Sequence, residues 1–96
     1  MNADICAAIN GRQLLELRYH GYARIGEPYA YGRDNSGDAL LRCSQIAGGS
    51  ESGQPAGWKL LKVADVFAIN EQKATFTPRS QYRRDDKAIT FMFCQM

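Results

Sequence analysis

Ile5, Ala8 and Ile9 recur at i, i+3 and i+4, the spacing that gathers apolar side chains on one face of a helix. Asn2 or Asp4 can cap the start of such a helix, and Gly11 stands where a left-handed residue is expected at its end. A helix this short cannot hold itself together in water and has to lie on another element. From Gln13 onward the period changes to two. In "QLLELRYHG", Leu15, Leu17 and Tyr19 alternate with Glu16, Arg18 and His20, as in a strand with one dry and one wet face, and Gly21 permits a tight turn.

The second predicted strand, "ARIGEPYAYGR", sets Ile25, Tyr29 and Tyr31 on one face. Its Pro28 has no N–H to give a ladder and marks an edge or a bulge. "RDNSGD" is a turn by composition, because Asn35 and Gly37 accept positive φ. In "ALLRCSQIA", Leu41, Cys43 and Gln45 alternate with Leu40, Arg42 and Ser44, which puts Gln45 on the dry side, at the strand's end or at a bulge. "WKLLKV" follows the glycine-rich "GGSESGQPAG", and "ADVFAIN" reads as a short turn and a fifth strand. The tail from about residue 76 carries a Pro-anchored segment and a charged cluster from Arg83 to Lys87. It closes on a strand in which Ile89, Phe91 and Phe93 alternate with Thr90, Met92 and Cys94. The prediction is a mainly β chain with one N-terminal helix and five or six short strands. A small barrel or strongly bent sheet would protect the edges of so small a sheet.

Length limits this to a single domain over residues 1–96, since 96 residues build one modest core and not two. With 45 % hydrophobic and 23 % charged residues the chain is expected to fold. No apolar run is long enough to span a membrane, and "MNADICAAINGRQ" has no basic leader before an apolar core. The expectation is therefore a cytoplasmic protein with no membrane partner. Cys6, Cys43 and Cys94 are an odd number, far apart and without a CxxC pair. They are expected to be reduced, mostly buried thiols, with no metal site and no cofactor. A net charge of +2 argues against a duplex-DNA binder that works by phosphate neutralisation alone. Eight of the twelve cations are arginine, however, the side chain suited to bidentate anion contacts and to stacking on flat rings.

Each chemically suggestive residue has a plain reading beside a sharper one. His20, next to Arg18 and Arg24, is either a solvated strand residue or a phosphate contact. No G-x-S-x-G or comparable motif supplies a nucleophile, so catalysis is not expected. Arg42 sits among apolar neighbours and needs a wet face, a ligand, or a pairing with Glu16 or Glu27. The loop at 48–57 is a hairpin connection, or else a nest of backbone N–H groups for an anion; it lacks the Walker spacing. Trp58, directly behind that loop, packs on the core or stacks on a base at the mouth of the barrel. In "PRSQYRRDD", Arg79, Arg83 and Arg84 surround Tyr82 in a mixture that suits single-stranded nucleic acid, with Asp85 and Asp86 at hand to offset the charge.

The N-terminal helix followed by "LLELRYHGYARIGEPYAYG", "LLRCSQ" and "GWKLLKVADVFAI" resembles the WYL domain, and more closely its short single-domain bacterial members, over residues 3 to about 70. The family's Trp-Tyr-Leu tripeptide falls where this chain has "ALLRC", which keeps only a leucine. Its F-x-L-x-R-I segment is answered by "LLKVADV", without the arginine. The resemblance implies an SH3-like, Sm-like β-barrel serving as a regulatory ligand-binding module, with nucleotides or nucleic acids as ligands.

Two functions follow. One is a non-enzymatic binding module for a nucleotide, a single-stranded nucleic acid or another anionic ligand. Its residues would be Arg18, Arg24, Arg42, Lys59 and Arg79, converging on one face, with Tyr19, His20 and Trp58 beside them. The other is an assembly protein, a homo-oligomer and a dimer first, in which the apolar segment "ITFMFCQM" pairs with another subunit.

Overall fold

The computed structural model describes residues 2–50, 53 and 56–96. Helix α1 (Ala3–Gly11) is followed by β1 (Gln13–Tyr19), β2 (Tyr22–Arg33), β3 (Ala39–Gly48) and β4 (Gly57–Lys62). A single 3-10 turn, Val63–Asp65, leads to β5 (Val66–Thr75), and β6 (Phe91–Gln95) closes the chain. Asn2 is the cap, its side chain accepting from the N–H groups of Asp4 and Ile5. Its own N–H donates to the Tyr31 hydroxyl at 2.8 Å, which fastens the start of the helix to β2. The left-handed residue that ends α1 is Arg12, at φ 53°, and not Gly11. Ile5, Ala8 and Ile9 are buried, as the stripe requires.

The strands form one antiparallel sheet in the order β4-β3-β2-β1-β5, with β6 on β2. β2 is long enough to change neighbours. Its first half, to Gly26, pairs with β1 across a two-residue turn in which His20 and Gly21 both take positive φ. Its second half, from Ala30, pairs with β6. β4 and β5 are the ends of the sheet and do not pair with each other, so the sheet is open rather than closed into the anticipated barrel. Among the described residues no helix is long and apolar enough to cross a membrane.

Bulges decide which side chains share a face. Pro28 lies opposite Cys43 and Ala30 opposite Arg42, which leaves Tyr29 as an extra residue in β2. Pro28 thus marks a bulge in a central strand, not an edge. Tyr29 consequently parts from Tyr31: Tyr31 packs in the core under α1, while Tyr29 packs with Trp58, Phe76 and Tyr82. The expected common face of Ile25, Tyr29 and Tyr31 is not formed. A second shift, with Tyr31 opposite Cys94 and Gly32 opposite Met92, makes Phe93 the extra residue of β6. Phe93 and Cys94 therefore both pack on the main core, against the simple alternation expected, and Ile89 precedes the strand. Gln45 is buried on the core side, one residue before the bulge at Ile46.

The core proper lies between α1 and the inner face of the sheet, around Ile5, Ile9, Leu15, Leu17, Tyr31, Leu41 and Leu61. A smaller cluster of Ala30, Leu40 and Ile89 lies apart from it. Cys6 and Cys94 form a disulfide between α1 and β6, with Cα atoms 5.7 Å apart. This corrects the expectation of three thiols, because the fold brings together two residues 88 positions apart in sequence. Cys43 remains a buried free thiol, as expected.

Candidate ligand site on the outer face

After β5 the chain returns across the outer face of the sheet, and polar anchors fix its course. The Phe76 N–H donates to the Arg12 carbonyl at 2.9 Å. Arg79 Nε donates to Glu27 Oε1 at 2.8 Å and its backbone N–H to the Tyr29 hydroxyl at 3.0 Å, while that hydroxyl donates to Glu27 Oε1 at 2.9 Å. Burial, with Glu27 adding to it, pushes the Tyr29 pKa up to about 12, so the hydroxyl stays a donor. Farther on, Arg42 Nε donates to Asp86 Oδ2. That bond holds the Asp86 carboxyl below its ordinary value against the opposing effect of burial.

Tyr29 is the hub of an aromatic group. Its ring centroid is 4.8 Å from those of both Trp58 and Tyr82, and the latter two lie 6.5 Å apart with planes 27° from parallel. Trp58 keeps 38 % of its surface exposed and forms, with Tyr82, the apolar wall of a cavity of about 500 Å³. Arg42, Arg83, Arg84 and Lys87 also line this cavity, against two carboxylates, Asp85 and Asp86.

Both carboxylates are already engaged. Asp86 is held by Arg42, and Asp85 accepts from Gln95 Nε2 at 2.9 Å. Arg84 Nε donates to the Met96 carbonyl at 3.0 Å. Among the described residues Arg83 and Lys87 have no ion pair. The expected self-neutralisation within "RRDD" is thus replaced by bonds to β3 and β6. A positive rim is left beside two aromatic rings.

The residues expected to form the site are dispersed. Arg42 and Trp58 line the cavity, but Arg42 pairs with Asp86 and not with Glu16 or Glu27, and Arg79, which does not line the cavity, is the residue paired with Glu27. Arg24 is buried with the core side of the sheet, and Lys59 lies opposite Cys43 in register. Tyr19 is buried, its hydroxyl accepting from the Lys62 N–H at 3.1 Å. His20 stacks on Tyr19 at 4.0 Å and reaches Asp65 at 3.3 Å from the turn, rather than pointing away from its neighbour. Arg18 is exposed on β1. The anticipated convergence of five cations on one face does not occur. Tyr82, Arg83 and Lys87 take their place, and the signal for them was the aromatic residue set among cations in "QYRRDDK".

Among the described residues no group of three His, Cys, Asp or Glu side chains could hold a metal ion. No family model, curated protein or solved structure matches this chain.

Proposed function

We propose that the protein is a non-enzymatic binding module of WYL type that takes a nucleotide, a single-stranded nucleic acid or another anionic ligand in the outer-face cavity. One observation carries this reading: Trp58 and Tyr82 stand beside Arg83 and Lys87, whose neighbouring carboxylates are bonded elsewhere. A planar ring stacks on Trp58 while phosphate meets the rim, the combination that serves single-stranded nucleic acid. We read the open sheet as an SH3-like, Sm-like barrel left unjoined between β4 and β5. The 3-10 turn that links those two strands and the bond from the Lys62 N–H to Tyr19 at the end of β4 support that reading.

Titrating Trp58 fluorescence with a nucleoside triphosphate and with a short single-stranded oligonucleotide, at two salt concentrations, tests this. A saturable change that weakens with salt is expected, and is reduced about tenfold or more in affinity in the double variant Arg83→Ala, Lys87→Ala. Unchanged emission with both probes sinks the reading.

A homo-oligomer is the second reading, favoured by Phe67, which stands 85 % exposed on β5 at an open end of the sheet. The C-terminal strand expected to supply the contact already has one edge taken by β2. Light scattering of the wild type and of Phe67→Ser separates the two readings.

A further inference from the structure

Three consecutive residues at the end of β6 join the disulfide to the rim of the outer-face cavity. Cys94 is bonded to Cys6 on α1, and neither residue is fully buried, so a small thiol can reach the bond in the folded protein. The next residue, Gln95, grips Asp85 twice: its Oε1 accepts from the Asp85 N–H at 2.9 Å and its Nε2 donates to Asp85 Oδ1 at 2.9 Å. Met96 follows, its carbonyl accepting from Arg84 Nε at 3.0 Å. Arg84 and Asp85 both line the cavity.

Apart from the disulfide, β6 is lightly held. It is five residues long, and its ladder to β2 is broken by the bulge at Phe93. Beyond that ladder the Met96 N–H donates to the Tyr29 carbonyl at 2.9 Å, and Phe93 and Met96 pack on the core while only partly buried. A short strand with such sparse contacts opens locally at low cost unless a covalent bond restrains it. Its hold on Asp85 matters because that residue stands at φ 59°, a left-handed conformation that L side chains rarely adopt. With Gln95 in place the Asp85 carboxylate is turned to β6, and among the described residues it forms no ion pair. Released, it is two residues from both Arg83 and Lys87 and free to pair with either, while Arg84 loses its orientation.

We propose that the Cys6–Cys94 disulfide is a redox control on the outer-face cavity: while it is intact, β6 holds Asp85 and Arg84 in the arrangement that admits an anion, and its reduction by a dithiol dismantles that rim. The affinity effect rests on the binding role proposed above. In the reaction a thiolate of the dithiol attacks one cysteine sulfur and expels the other as a thiolate, which takes a proton from water. The second thiol of the reagent then releases the first cysteine. The dithiol gives up two electrons and becomes a cyclic disulfide, and the protein gains two thiols. Weaker binding follows from the lost preorganisation of the rim and from competition by the Asp85 carboxylate.

The test compares the protein with its disulfide intact and after incubation with dithiothreitol. With a nucleoside triphosphate and a short single-stranded oligonucleotide as probes, Trp58 emission should report an affinity about tenfold lower after reduction, restored on reoxidation. Cys6→Ser should bind as the reduced protein does and ignore the dithiol, and Gln95→Ala should lower the affinity with the disulfide intact. Equal affinity in the two redox states, or an unaffected Gln95→Ala, overturns the proposal. So does loss of circular dichroism across the whole chain on reduction, which would make the bond a support of the entire fold. A readout without ligand keeps this apart from the role of the cavity itself. In spectra of the isotopically labelled protein, reduction should move the Asp85 amide signal toward its position in Gln95→Ala and leave Leu15 and Leu41 in place. Should neither probe bind the oxidised protein, the binding role falls, and the Asp85 signal alone decides the redox link: a shift supports it and a fixed signal overturns it.

Discussion

At the scale of single residues, the pairing of Arg42 with Asp86 does the most to fix the site, because it joins the middle of β3 to the returning chain. Both side chains are largely shielded, so removing one partner strands the other in poor solvation. Asp86→Asn should cost about 2 kcal/mol in urea unfolding at pH 7. The pH dependence has a definite sign. The folded-state pKa of Asp86 lies below its ordinary 3.8, so the stabilisation is fully present above that value and is lost as pH falls below it through the folded pKa. The gap between wild type and Asp86→Asn should therefore narrow when the measurement is repeated near pH 3, and a constant gap would refute the assignment. Sequence pattern marked Arg42 as needing a partner, but its partner lies 44 residues away in a segment without regular structure, and spacing gives no hint of it. Arg24 shows the same limit from the other side. Alternation places it beside exposed neighbours, whereas the turn at His20 and the bulge at Ile46 bring it inward, onto Gln45.

Among the elements, β6 anchors the charged side of the cavity, since its Gln95 accepts from the Asp85 N–H and donates to the Asp85 carboxylate. It sits on β2 at Gly32, where a Cβ would run into the Phe91 carbonyl and the Ile89 side chain. Gly32→Ala should push the strand away and cost about 1–3 kcal/mol, with loss of amide protection concentrated in residues 91–95. Retained protection there would show that the strand tolerates the change. The Cys6–Cys94 disulfide pins the same strand to α1 and closes a loop of nearly the whole chain, so Cys6→Ser should cost up to about 4 kcal/mol. Such bonds persist in oxidising surroundings, and thiol counting on the native protein should find no free thiol without denaturant, since Cys43 is buried and protonated. The helix and the six strands were anticipated, α1, β1 and β3 from their periodicity, but β5 runs on to Thr75, past the expected segment, and β6 does not keep the expected alternation. The bulges at Tyr29 and Phe93 were not legible, because each rests on pairing across strands, although Pro28 announced the first of them.

For the molecule as a whole, the sequence held the parts of the candidate site but not their assembly. Trp58 and "QYRRDDK" are separated by more than twenty residues, and only the return of the chain over the sheet sets them on one cavity. The central claim is that this cavity, rather than the dispersed cations of β1 and β2, receives an anionic ligand. Its most direct test is an amide and indole chemical-shift map of the isotopically labelled protein titrated with a nucleoside triphosphate and with a short single-stranded oligonucleotide. Saturable shifts confined to the Trp58 indole and to residues 81–87, for at least one of the two, are the predicted result. No saturable shift with either, or shifts centred on Arg18, His20 and Lys59, would contradict it.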